Sequence, residues 1–150
     1  MLQIFYKPTE ETFYPEPELE SLSGAILMTN VFEADIYLLV NGVNIFGFPN
    51  GTTMSLPLVG FAHLAEKHVW MLGEGEMRKV MIETWGDLYL EQLAGRLRLY
   101  TTTLRRHMMT DLGEARREFS RFARQVKMDF ERELPAITRN PAWPIIFPDR

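Results

Sequence analysis

A chain of 150 residues with 46% hydrophobic and 24% charged side chains has the length of one domain and enough apolar surface to bury a core of its own. It has no cysteine, which excludes disulfides and thiolate chemistry, and no apolar run of membrane-spanning length. The formal net charge of −4 is unevenly spread: residues 1 to 75 hold nine acids against Lys7 and Lys67, and residues 76 to 150 hold fourteen Lys or Arg against eleven acids, so the acidic front half argues against direct binding of nucleic acid.

In chain order, Leu2 to Tyr6 reads as a short first or edge strand, and the opening Met-Leu-Gln-Ile-Phe-Tyr lacks the basic region and small-residue cleavage site of a secretory signal, so a cytoplasmic location is expected. Thr9 to Glu20, with Pro15 and Pro17, predicts a loop that contributes nothing to the core. Gly24 to Val31 and Glu33 to Val40 are rich in β-formers and predict two strands. Asn41-Gly42 is the dipeptide of a type I′ turn, which predicts a hairpin pairing Ala34 to Val40 with Val43 to Phe48.

Beyond the turn signal Pro49-Asn50-Gly51, the spacing of Leu58, Phe61, Ala62, Leu64, Ala65, Val69 and Leu72 predicts a helix from about Leu56 to about Leu72. Arg78 to Trp85, Leu88 to Leu93 and Arg96 to Thr103 predict an antiparallel meander, broken at Gly86-Asp87 and Ala94-Gly95. Asp111 to Leu134 predicts a long amphipathic helix. Leu112, Ala115, Phe119, Phe122, Val126 and Phe130 form its apolar stripe, with Arg116, Arg117, Arg121, Arg124 and Lys127 outside it. Asp111 with Glu114 three residues on reads as a capping box, and Pro135 as the stop. Residues 140 to 150, with Pro141, Pro144 and Pro148, predict an extended tail too apolar to hang free. Strands in two groups around one helix, with a second helix after them, predict an α+β fold. It is a single domain over residues 1 to 150, with an antiparallel sheet of about six strands packed against two helices, the longer one C-terminal.

No residue pattern announces chemistry. His63 and His68, five apart on a helix, diverge by about 140° and cannot share an ion, and His107 has no carboxylate spaced to orient it. Ser21, Ser23, Ser55 and Ser120 lack the context of a nucleophile, and Gly73 and Gly75 precede a strand instead of opening a helix. Carboxylate pairs can be drawn among Glu83, Asp87 and Glu91, as in any acidic domain. Phe32, Tyr37, Phe46, Phe48, Trp70, Trp85 and Tyr100 read as core, and Met108 and Met109 as gap-filling residues between a strand and the long helix. No catalytic residue, cofactor site or metal site is expected.

Two segments carry a resemblance: Glu33-Ala-Asp-Ile-Tyr-Leu-Leu-Val-Asn-Gly-Val-Asn-Ile-Phe46, and Asp111-Leu-Gly-Glu-Ala-Arg-Arg-Glu-Phe-Ser-Arg-Phe running on to Glu133-Leu134-Pro135. A strand with an Asn-Gly hairpin, a middle helix, a meander and a final helix ending in Leu-Pro resemble the small immunity proteins of bacterial polymorphic toxin and contact-dependent competition systems, over roughly residues 24 to 137. The resemblance implies a non-enzymatic cytoplasmic protein that binds a cognate, basic toxin domain and blocks it by stoichiometric occlusion. Acids at Glu10, Glu11, Glu16, Glu18, Glu20, Glu33 and Asp35 would suit such a partner. The alternatives are a structural or adaptor module that self-associates through the basic helix or the Trp143 to Phe147 tail, and an enzyme using the carboxylates.

Overall fold

Twelve strands and helices are defined in the computed structural model, which describes residues 1–29, 31–80, 87–102 and 105–149. The first sheet holds β1 (Leu2–Pro8), β2 (Glu33–Val40), β3 (Val43–Asn44) and β4 (Ser55–Pro57). β1 pairs antiparallel with one edge of β2, from Leu2 opposite Val40 to Pro8 opposite Ala34, while β3 and β4 share the other edge. The second sheet is the meander β5 (Met77–Val80), β6 (Leu88–Leu93), β7 (Arg96–Thr101) and β8 (Arg106–Asp111). The fold is α+β as expected, but its strands form two sheets of four and not one of about six. α2 (Leu58–Met71) and α3 (Leu112–Glu133) pack against each other, α3 also against β1 and α2 against β5, in one continuous hydrophobic cluster. Phe119, Phe122, Val126 and Phe130 lie buried in it, as the stripe requires.

Gly24 to Val31 is not a strand. Its described part forms a short helix, α1 (Gly24–Thr29), because the Ser23 hydroxyl accepts from the Ile26 amide at 3.2 Å and six residues are too few for periodicity to separate helix from strand. α1 rests on α2 at Gly60, where a Cβ would sit 2.0 Å from the carbonyl oxygen of Met28. Only glycine permits that approach.

The Asn-Gly turn is present, with φ of 51° at Asn41 and 83° at Gly42, but its second strand stops at Asn44. There the side chain displaces the ladder: the Asn44 Oδ1 accepts from the amides of Leu38 and Phe46, and its Nδ2 donates to Thr53, whose hydroxyl donates to the Ile36 carbonyl. β8 was absent from the sequence reading, since Arg-His-Met-Met shows no two-residue alternation; the free edge of β7 recruits it, with Met109 opposite Arg98 and Met108 opposite Leu99. The tail does lie against the domain, but as a short helix, α4 (Trp143–Ile146), with Trp143, Ile146 and Phe147 buried. Leu19, in a 3₁₀ turn over Leu19–Ser21, is also buried, so the proline-bearing segment contributes to the core after all. Part of the first meander strand (Met81 to Trp85) and Thr103 lie outside the described residues.

The capping box forms only by half. Asp111 accepts from the Glu114 amide at 2.8 Å, but the Glu114 carboxylate turns away to accept from the amide of Leu2 at 2.8 Å. One turn further, Glu118 accepts from the amide of Ile4 at 2.8 Å, and Arg121 donates to the carbonyl of Ile4 at 2.6 Å while gripping Glu118. The spacings match: four helical residues advance about 6 Å and two strand residues about 6.8 Å. α3 thus stands beside β1 where another strand would pair.

Glu118→Ala should leave the Ile4 amide without an acceptor and cost about 1 to 3 kcal/mol in a urea melt, whereas Glu118→Gln, which keeps an acceptor oxygen, should retain most of that stability. Equal loss in both variants would show that charge, and not the backbone contact, is what Glu118 supplies.

Candidate functional site

The seven acids from Glu10 to Asp35 divide into two groups. Glu10 and Glu11 sit in a turn held over the start of β2, where the hydroxyls of Thr9 and Thr12 both donate to the Glu33 carbonyl, at 3.3 and 2.6 Å. Asp35 is half-buried on the same outer face of β2 as Glu33, in register with Lys7. Glu16, Glu18 and Glu20 belong to a different place. Together with Glu133 at the end of α3 they line an open groove of ≈ 520 Å³, whose apolar lining includes Pro15, Leu19, Leu134 and Pro135.

The groove is braced from below. Leu134 ends α3, and Pro135, which cannot continue a helix, opens a 3₁₀ turn over Pro135–Arg139. Asn140 follows, buried, and its Nδ2 donates to the carbonyls of Leu19 and Leu22 at 2.8 Å each, while its Oδ1 accepts from the Ala142 amide at 2.9 Å. Arg139 pairs with Glu20 at 2.6 Å. Glu133 pairs with Arg132 at 3.2 Å, and Glu16 and Glu18 form no ion pair among the described residues. Two carboxylates therefore face solvent on a framework fixed by buried hydrogen bonds. Glu133 was missed by the sequence reading because it lies more than a hundred residues from Glu20, and it is the Asn140 bridge and the Arg139–Glu20 pair that hold the two segments together.

The cationic face of α3 is largely committed to the fold. Arg116 donates to the carbonyls of Val69 and Leu72, both at 3.0 Å, and so closes the C-terminal end of α2, where unpaired carbonyls concentrate negative charge. Arg121 serves β1, and Lys127 pairs with Asp149. Arg117 and Arg124 are exposed and unpaired among the described residues. His63 donates from Nδ1 to the carbonyl of Ile146 at 2.8 Å, a strut between α2 and α4. His68 is partly buried, and burial together with the charges of Arg78 and Lys67 holds its pKa below the usual value. Asp87 and Glu91 each face a cation, Lys79 at 3.8 Å and Arg98 at 3.0 Å, and Glu83 lies outside the described residues. Phe32 and Phe46 are core as expected. Tyr37 and Tyr100 instead occupy outer sheet faces, Trp70 is half-exposed, and Trp85 is not among the described residues. Among the described residues no group of three or more His, Asp or Glu could hold a metal ion, and no helix is long and apolar enough to cross a membrane.

A second polar centre lies between β1 and α3. The hydroxyl of Tyr6 donates to Asp129 at 2.5 Å, and Asp129, buried, also accepts from Gln125 at 2.8 Å. No family model, no curated protein and no solved structure matches the chain.

Burial, then the hydrogen bond to Asp129 and its charge, push the Tyr6 hydroxyl far above the ordinary tyrosine value of about 10. The folded state keeps a proton that the unfolded chain releases, so this stabilisation is complete below about pH 10 and is lost as pH rises beyond it. Tyr6→Phe should cost about 1 to 2 kcal/mol at neutral pH by removing one donor to Asp129, and should flatten the decline of stability above about pH 10. Urea melts of both proteins across that range provide the check; parallel declines would mean that another group governs alkaline unfolding.

Proposed function

We propose that this chain is a non-enzymatic, immunity-like binding protein that neutralises a cognate bacterial toxin domain by stoichiometric occlusion. The observation that supports it best is the groove of Glu16, Glu18, Glu20 and Glu133, in which carboxylates stand around an apolar lining on a framework held by Asn140. Carboxylates gathered on one rim attract a cationic partner over about a Debye length and speed encounter, and the apolar lining takes anchors that slow release. A braced rim loses little conformational entropy when the partner docks. The second reading, self-association through the tail or the basic helix, is less well supported. Trp143 and Phe147 are buried in their own domain, and Arg116, Arg121 and Lys127 are occupied within it.

Because Glu20 also holds Arg139, the test uses the two unpaired acids. Glu16→Lys/Glu18→Lys should leave the melting transition unchanged and lower the association rate for a cognate toxin domain by about tenfold at low salt, with the difference shrinking as salt rises from 0.1 M to about 1 M. Growth protection on co-expression should fall in parallel. An association rate insensitive to both salt and charge reversal would remove the groove from the contact surface.

A further inference from the structure

A second face of the molecule has the opposite character. Where α4 and the residues after it lie along α2 and α3, Trp70, Met71, Met128 and Ile145 are 52%, 51%, 62% and 77% exposed, an unusual concentration of large apolar side chains. They border two open grooves, of ≈ 510 Å³ and ≈ 400 Å³, which join at Glu66 and Pro148 and share no lining residue with the acidic groove.

This face is rigid. The indole of Trp70 donates to the Ser120 hydroxyl at 2.8 Å and lies under the guanidinium of Arg116, 5.4 Å from the ring centre. The His63 strut ties α4 to α2, and the Lys127–Asp149 pair ties the residues after it to α3. The ring is held half in solvent by polar contacts at its edge and face, and hence cannot fold down into the core.

The charge around the grooves is positive. Lys67 on α2 and Arg124 on α3 are exposed and have no ion pair among the described residues. The carboxylates in the lining are Glu66, which is buried, and Asp149, which Lys127 already neutralises. In a chain of net charge −4, a face that presents apolar side chains between two unpaired cations selects its partner by sign.

We propose that these two joined grooves, between the C-terminal segment and helices α2 and α3, form a docking surface for an acidic amphipathic helix of a partner protein. From His63 to Met71 α2 runs about 12 Å, the length of just over two helical turns, so apolar side chains spaced three and four residues apart would meet Trp70, Met128 and Ile145 while flanking carboxylates reach Lys67 and Arg124. This site is independent of the acidic groove and goes beyond the toxin contact.

The test uses a synthetic, fluorophore-labelled peptide of about 18 residues with leucine at helical a and d positions and glutamate elsewhere, together with a scrambled isomer of the same composition. Fluorescence anisotropy should show the ordered peptide binding at least about tenfold more tightly than the isomer. Lys67→Glu/Arg124→Glu and, separately, Met128→Asp should each weaken it by about tenfold with unchanged circular dichroism, while Glu16→Lys/Glu18→Lys should have no effect. Equal binding of the two peptides would overturn the proposal, as would indifference to these substitutions. Concentration-dependent dimerisation abolished by Ile145→Asp would overturn it in favour of a second copy of the chain as the occupant.

Discussion

The contact on which this fold depends is the one between a helix and the edge of a strand. β1 is an outermost strand, and its outward amides and carbonyls would otherwise face solvent or another protein. α3 satisfies them with side chains: Glu114 takes the amide of Leu2, Glu118 that of Ile4, and Arg121 the carbonyl of Ile4. Asp129 continues the same stripe to the hydroxyl of Tyr6. The sheet ends there, and the orientation of α3 follows from that. With its polar stripe on β1, the adjacent apolar stripe of Phe119, Phe122, Val126 and Phe130 must face the core.

The same economy explains the charge distribution. A helix rich in arginine looks like a basic surface, yet two of its cations work on backbone carbonyls, Arg116 at the end of α2 and Arg121 on β1. Guanidinium groups suit this because they present several donors in a fixed fork and remain charged when partly buried. What is left over, Arg117 and Arg124, is a small fraction of what the composition suggests. The acids behave similarly: Glu114 and Glu118 are structural, and the exposed, unpaired carboxylates of the groove are a local remainder of the overall negative charge.

Much of the architecture is readable in the sequence because it rests on local patterns. The period of α3, its Asp111 cap, the Asn41-Gly42 turn and the boundaries of β6 need no distant partner to be recognised. The failures share a cause. Gly24 to Thr29 folds as a helix against Gly60, β3 is cut short by the side chain of Asn44, and β8 exists because β7 has a free edge; each is settled by a neighbour remote in sequence or by one side chain. The groove follows the same rule. Glu16, Glu18 and Glu20 could be named from composition, but Glu133 and the exposure of Trp70 depend on how the helices pack. A sign was present for the stripe at 114, 118, 121, 125 and 129, which repeats at helical spacing beside the apolar one, but no sequence rule says that it meets a strand.

The bridge at Asn140 links the groove to the stability of the molecule as a whole. Its hydrogen bonds to Leu19 and Leu22 join positions 121 and 118 residues apart, so the two walls cannot separate without undoing contacts between the beginning and the end of the domain. Opening the site therefore costs those long-range contacts as well as its own. Any partner that occupies it is thermodynamically linked to global folding and raises the unfolding free energy by RT ln(1 + [L]/Kd), which makes the bound protein a poorer substrate for proteases than the free one. That linkage would lengthen the lifetime of the complex relative to that of the free protein, so the abundance of the chain would follow the amount of partner present.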